Sequence, residues 1–336
     1  MRLLSENLLD YLPERTALLI GGLSEWRDKK LVEIRLRVNQ AIQLIGSNID
    51  FFIDLNGKRL KNSDRFYGLN REEMEKAFLL LSHNSIYALE RQLLEGFITI
   101  PGGHRVGFTG QVVVENARIK TIKNINSLNY RICREFTGAA EDVVTYLYDI
   151  ERDLVLNTLI VSPPLCGKTT LLRDLIRIFS QGMLDKGIKG KKVGLVDERS
   201  EIAGAYKGVP QNNIGSRTDL LDNCPKAEGM MLLIRSMSPE VIAVDEIGRD
   251  EDINAIQEAL YAGVSLITTI HGRDFTDIKR RPGIADLIDK GLFERFVFLS
   301  NRDGIGTIEA VRDRNGREVS CFVDKINWGS NDLSIG

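Results

Sequence analysis

An α/β fold on a largely parallel sheet, preceded by a smaller α+β domain, is the class that the 336-residue sequence predicts. Beyond about residue 138, near-continuously apolar runs (LNTLIVS, KVGLVD, EVIAVD, VSLITTI) alternate with helix-patterned segments. Strands read this way when helices cover both faces of a parallel sheet. Directly after the first run, SPPLCGKTT forms a short loop that opens into the helical pattern TLLRDLIRIFSQG. The first 135 residues instead mix alternating runs with glycine-rich turns, the mark of a separate α+β unit.

In chain order, residues 1–20 predict a short helical element. LVEIRLRV (31–38) alternates as a half-buried strand does, with Val32, Ile34, Leu36 and Val38 on one face. AIQLIG and IDFFIDLNG follow as strands, and Asn56-Gly57 predicts a hairpin turn. Asn70 with Glu73 is a capping-box pattern for the helix REEMEKAFLLLS. A second helix is expected at about Ser85–Leu94. Gly102, Gly103, Gly107 and Gly110 read as turns within a β segment. In the second domain a helix over Ala139–Asp149 precedes the apolar runs, and further helices fall near 226–236 and 251–261. The long polar stretch 204–226 reads as a connecting loop, functional or mobile. Short strands and an Asn315-Gly316 hairpin close the chain before the polar tail WGSNDLSIG. The division is 1–135, 136–310 and 311–336.

Composition bounds the function classes. The formal net charge is −2, with 43% apolar and 27% charged residues, ordinary for a globular protein and no basis for a nucleic-acid coat. The first 135 residues balance at +4 and the remainder at −6, which suits one subunit's first domain lying against a neighbour's second. Cys133, Cys166, Cys224 and Cys321 are too scattered for a structural zinc site and read as free thiols in a reducing compartment. No 18-residue apolar run is present, and MRLLSENLLD is a poor secretory leader, so a cytoplasmic protein is expected.

The chemistry lies at strand ends. Ser162, Pro163, Pro164, Leu165, Cys166, Gly167, Lys168 and Thr169 nearly match G-x-x-x-x-G-K-[ST], with serine for the first glycine. Such a loop surrounds a phosphate with backbone N–H groups at a helix N-terminus, where negative charge is favoured. Lys168 is expected on the β/γ-phosphates, Thr169 on Mg²⁺, and Thr170 beside them in the ATP-binding set. The two prolines remove two N–H donors, and Ser162 keeps the turn only from a common φ/ψ region. Asp245 and Glu246 end the run VIAV. There Asp245 would face the magnesium shell and Glu246 polarise the attacking water. Asp197 and Glu198 end another run, Asp197 as a second metal-positioning group and Glu198 as a rival base; ordinary strand-end polarity is the alternative. His271, after VSLITTI, is placed to contact or sense the γ-phosphate, or simply to satisfy its loop. Arg217, Arg105, Arg131 and Arg134 are candidate arginines for phosphoryl charge, the last three in trans, or else surface cations.

These motifs together carry a family resemblance. EIRLRV (33–38), ITIPGGHRVGFTG (98–110), SPPLCGKTTLLRD (162–174), VDERSEIAG (196–204), GSRTDLLD (215–222), IAVDEIG (242–248) and TTIHG (268–272) resemble the stage III sporulation AA family. That family is similar to the type II and type IV secretion ATPases. The resemblance implies a RecA-like P-loop ATPase core, ATP and Mg²⁺ as ligands, and a hexameric homo-oligomer. It further implies integral-membrane partners in a sporulation channel complex, and a peripheral position on the mother-cell side of the forespore-engulfing membrane. The stretch Asp197–Glu201 resembles the acidic box of secretion ATPases, and Thr269-His271-Gly272 a reduced histidine box. The sequence departs from the wider pattern at Ser162 and in lacking a four-cysteine zinc module. Two rival readings remain, a nucleic-acid translocase and a nucleotide-gated scaffold with negligible turnover. Neutral charge and the lack of a basic-aromatic stripe oppose the first, and the set Lys168, Asp245 and Glu246 opposes the second.

Overall fold

The structure is a computed structural model that describes residues 6–28, 30–46, 49–54, 56–61, 66–81 and 96–320. The helix expected at Ser85–Leu94 and the tail after residue 320 lie outside the described residues. Two compact units divide the chain, Met1–Arg134 and Glu135–Gly336.

The first unit is a six-stranded antiparallel sheet with helices. Strands β1 (Leu31–Arg37), β2 (Ile42–Gly46), β3 (Ile49–Ile53), β4 (Phe97–Ile100), β5 (His104–Glu115) and β6 (Arg118–Arg131) lie in the order β3-β2-β1-β6-β5-β4. Among the described residues, helices α1 (Glu6–Leu9), α2 (Glu14–Gly21), α3 (Ser24–Arg27) and α4 (Arg71–Leu81) accompany it. Leu8, Ile20, Met74, Ala77 and Leu81 from the helices join Ile34, Leu36, Leu44, Val106 and Leu128 from the sheet in one buried core. The Asn70/Glu73 capping box forms as its sequence requires. The Asn70 N–H donates to Glu73 Oε2 and the Glu73 N–H to Asn70 Oδ1, both at 2.9 Å. In β1 a register irregularity between Leu31 and Glu33 buries Leu31 and exposes Val32, so strict alternation starts only at Ile34.

Only two of the four glycines make a turn. Gly102 and Gly103 carry φ +85° and +72° and join β4 to β5, whereas Gly107 and Gly110 sit inside β5. Gly110 marks a bulge, with the β5–β6 register shifting between Thr109 and Gln111. A Cβ there would lie 2.5 Å from the Lys123 carbonyl oxygen. Gly110→Ala is therefore expected to destabilise the first unit by about 1–3 kcal/mol through overpacking, read as a lower denaturation midpoint.

The second unit carries an eight-stranded sheet. Its main strands are β9 (Thr158–Ser162), β10 (Val193–Asp197), β11 (Thr218–Asp222), β12 (Val241–Glu246), β13 (Ser265–His271), β14 (Arg295–Ser300), β15 (Thr307–Asp313) and β16 (Glu318–Ser320), after a small ribbon of β7 (Tyr148–Asp149) and β8 (Leu154–Val155). The order is β11-β10-β12-β13-β9-β14-β15-β16, parallel from β11 through β14 and antiparallel for the last two pairs. Helices α5 (Lys168–Gln181), α6 (Lys226–Met237), α7 (Asp250–Tyr261), α8 (Phe275–Lys279) and α9 (Pro282–Asp289) flank it. Alternation sorts the faces. Ile160, Leu195, Ala243 and Ile267 pack with Leu171, Leu175 and Phe179 of α5. Leu159, Val161, Val196, Ile242 and Val244 face α6, α7 and α9 through Met230, Ile256 and Leu287. This is the doubly covered sheet that the apolar runs predict.

Three local expectations need correction. Residues 139–149 do not form a helix. The segment turns through a 3-10 helix at Val144–Leu147 and enters β7, with the Ala140 N–H held by the buried Asp174 carboxylate at 2.8 Å. The stretch 204–226 is not one loop, because TDLLD forms β11, a parallel edge strand beside β10. Half-buried at every position, it lacks the apolar run that announces a central strand. The 310/311 boundary falls within β15, which pairs along β14 as part of the same sheet.

Candidate nucleotide site

Four adjacent parallel strands, β10, β12, β13 and β9, end at the same sheet edge, the edge where open α/β sheets bind ligands. Each delivers one predicted group or pair: Asp197 and Glu198, Asp245 and Glu246, His271, and Ser162. Beyond Ser162 the chain turns through the loop into α5. Leu165 has φ +61° and Gly167 has φ +86°, the latter at the N-cap of α5. Ser162 is fully buried and absent from the left-handed region, so serine replaces glycine there without backbone strain. Its carbonyl also accepts the Gly272 N–H at 3.1 Å. Pro164 and Leu165 are exposed, Pro163 half-buried and Cys166 buried. Thr169 and Thr170, both half-buried, lie in the first turn of α5, whose leading N–H groups have no partner within the helix.

Lys168 is buried, yet no carboxylate stands within ion-pair distance of it among the described residues. Its ammonium donates to the Ser162 carbonyl (3.2 Å), Ser162 Oγ (3.2 Å), the Pro163 carbonyl (3.1 Å) and His271 Nδ1 (2.8 Å). Burial lowers its pKa, opposed by the charges of Glu246 and Cys166. Because an ammonium has donors only, His271 Nδ1 accepts and the ring proton resides on Nε2. Nε2 stands 2.9 Å from Glu246 Oε2 and donates to it. Lys168, His271 and Glu246 thus form one hydrogen-bonded chain from the phosphate loop to the predicted catalytic carboxylate. A register shift between Ala243 and Glu246 sets Glu246 opposite Thr269 on β13, which aims it at His271.

Asp245, on the other face of the strand, meets a cation that sequence reasoning missed. Lys226, at the first position of α6, places its ammonium 3.1 Å from Asp245 Oδ1 and 2.5 Å from Glu198 Oε2. Asp245 Oδ1 makes no hydrogen bond of ordinary geometry, so this ion pair is its contact. The available signal was the anomaly of a lysine at a helix N-terminus, where the helix dipole opposes positive charge. Burial pushes Asp245 up to about 6, with Asp197 and Glu198 adding to the rise and Lys226 opposing it. A carboxyl whose folded pKa is raised contributes stability present at low pH and lost as pH rises through about 6. Asp245→Asn is therefore expected to gain melting temperature over the nucleotide-free wild type, by an amount that grows from pH 5 to pH 7.5. The ceiling is about 3 kcal/mol, and paired thermal melts across that range check it.

The other predicted residues are placed as follows. Asp197 is fully buried and holds the following turn. Its oxygens accept the N–H groups of Glu201 (2.9 Å), Ile202 (3.0 Å) and Ala203 (2.8 Å). Burial raises its pKa against those three bonds. The carboxylate expected near a metal's waters is thus occupied in shaping the acidic segment. Glu198 is tied to Lys226, with the Arg249 guanidinium at 4.0 Å from its other oxygen. Arg217 is not brought to the phosphate loop. Its guanidinium donates to the Ser180 carbonyl at 2.9 Å and its N–H to Ser180 Oγ at 2.7 Å. These contacts lie at the C-terminal end of α5, about 18 Å of helix rise from Lys168. A cation there completes the carbonyls that a helix end leaves open. Arg105, Arg131 and Arg134 lie in the first unit. Arg105 and Arg131 are cross-strand partners, Arg105 stacks on Phe97 with 4.8 Å to the ring centre, and Arg131 is exposed with Glu33 at 4.0 Å. Arg134 donates to the Leu31 carbonyl at 2.6 Å.

Phosphate loop, helix N-terminus and strand-end carboxylates on this strand order define a RecA-like P-loop α/β protein. Solved structures share the fold. The Legionella pneumophila ATPase DotB superposes with a TM-score of 0.53 at 17% identity, over 85% of this chain and 76% of DotB. The pilus retraction motor PilT with bound ADP gives 0.50 at 14%, over 80% and 74%. Residues 15–319 match the family described as sporulation stage III, protein AA, and the chain belongs to that family. Stage III sporulation protein AA of Bacillus subtilis (strain 168) is 42% identical over 313 residues, covering 93% of this chain and 96% of that protein. No helix among the described residues is long and apolar enough to cross a membrane.

Proposed function

We propose that this chain hydrolyses ATP and serves as the motor of a secretion-like complex in sporulation. The observation that carries the reading is Lys168. A buried ammonium that, among the described residues, is held by carbonyls, a hydroxyl and an imidazole at a helix N-terminus is an incomplete charge site suited to a phosphate. The N–H groups from Leu165 to Thr169 would complete the cradle that Pro163 and Pro164 leave open. Glu246, positioned by His271, is the general base for water. The donor set also fits Mg²⁺, since Thr169 is half-buried beside the loop and Asp245 Oδ1 is unsaturated by hydrogen bonds. When bound with the phosphates, Mg²⁺ neutralises charge developing on them. Among the described residues no cluster of three acidic, His or Cys side chains forms a protein-only metal cage, and Mg²⁺ needs none.

The finer assignments rest on the family and the fold. They are a hexameric homo-oligomer, integral-membrane partners, a station on the mother-cell side of the engulfing membrane, and trans-acting roles for Arg105, Arg131 or Arg134. ATP turnover of the full-length protein, measured with oligomeric mass and with and without reconstituted membrane partners, tests the oligomer and the partners. The expected result is nucleotide-dependent assembly and turnover raised by the partners. A strict monomer in every nucleotide state would sink the ring, and stimulation by single-stranded nucleic acid instead would favour a translocase.

A further inference from the structure

Lys226 presents a feature that phosphate chemistry alone does not require. Its side chain is one-tenth exposed, and its ammonium bridges carboxylates at the ends of two neighbouring strands, Glu198 after β10 and Asp245 on β12. Three acids crowd this edge, with Asp197 beneath Glu198. Lys226 balances one of those charges. Arg249, the next cation, is exposed and stands 4.0 Å from Glu198. The lysine is held against the dipole of its own helix, so the two carboxylates must supply the attraction that keeps it there. Asp245 Oδ1, buried and without an ordinary hydrogen bond, has this ammonium as its contact. Counting Asp197, Glu198 and Asp245 against Lys226 and Arg249, the cluster has one acid more than it has cations.

We propose that Lys226 is the resident counter-cation of the nucleotide site, a positioning residue that holds Asp245 and Glu198 together until magnesium nucleotide arrives and Asp245 turns to its shell. This rests on the ATP reading above. Lysine and magnesium then compete for one carboxylate, so Lys226 sets how strongly Mg²⁺ tightens nucleotide binding. In both states a cation offsets part of the strand-end charge, and the lysine does so when the divalent ion is absent.

The test uses the full-length protein and two readings that need no turnover. They are the nucleotide-free melting temperature, and the ratio of ADP dissociation constants in EDTA and in Mg²⁺. Lys226→Met is expected to melt about 5–10 °C lower without nucleotide, because its carboxylates are left unpaired. Its Mg²⁺ ratio should exceed that of the wild type by about tenfold, the lysine no longer competing. Lys226→Arg should restore both values towards wild type, and Lys226→Gln replaces Lys226→Met if the latter does not fold. An unchanged or smaller Mg²⁺ ratio in the neutral variant, with ADP still bound, overturns the proposal and leaves the ATP reading intact. A wild-type protein that binds ADP in neither condition overturns both.

Discussion

Glu246→Gln should lower ATP turnover by about 10²–10⁴-fold while leaving ATP affinity within a few-fold of wild type. The amide is nearly isosteric, and its carbonyl oxygen can still accept the His271 Nε2 proton that Glu246 Oε2 accepts at 2.9 Å. What it loses is the capacity to take a proton from water. Binding should survive because, on the proposed reading, the phosphate contacts would come from the loop and Lys168, between β9 and α5, and not from β12. The check is single-turnover hydrolysis alongside equilibrium binding of a fluorescent ATP analogue, under the condition in which wild type turns over fastest. Equal hydrolysis by the variant would remove Glu246 from the mechanism and return attention to Glu198.

Lys168→Ala should separate binding from stability. ATP affinity is expected to fall at least about 100-fold, since a charge-assisted contact to phosphate from a buried ammonium is lost. The nucleotide-free melting temperature should nevertheless stay within about 3 °C of wild type. The ammonium's bonds to neutral acceptors offset the several kcal/mol that burying it costs, so its removal leaves those two contributions nearly cancelled. Thermal melts and calorimetric titration on the same preparation distinguish this from a variant that has simply unfolded. A large loss of melting temperature with retained affinity would contradict both halves.

How much was legible depended on whether a signal was local. The Asn70/Glu73 box, the loop ending in Gly167-Lys168-Thr169 and the apolar strands closed by carboxylates each state their physics within a few residues, and each takes its expected local form. Residues 139–149 misled because their helix-like apolar spacing serves a 3-10 turn and a short ribbon packed on α5, a tertiary choice. TDLLD hid because an edge strand needs no continuous apolar run. The site's acids and His271 were readable as strand-end residues, but their pairings were not. Lys226 is 28 residues from Glu198 in the chain and belongs to no motif, so only the sheet order brings them together. Arg217 erred in the opposite sense. A basic residue in a polar stretch suggests a ligand, whereas the carbonyls ending α5 claim it.

The two prolines and Leu165 have a consequence for the kinetics of the loop. Pro163 and Pro164 fix their own φ angles, and Leu165 holds a left-handed φ of +61° and is 86% exposed. Lys168 already ties the loop's start by bonds to the Ser162 and Pro163 carbonyls. A segment so constrained before its ligand arrives has little disorder left to surrender, and capture carries a small entropic penalty. On the proposed reading, nucleotide exchange at this loop would be governed by charge and amide geometry, with no folding transition to repeat at each cycle.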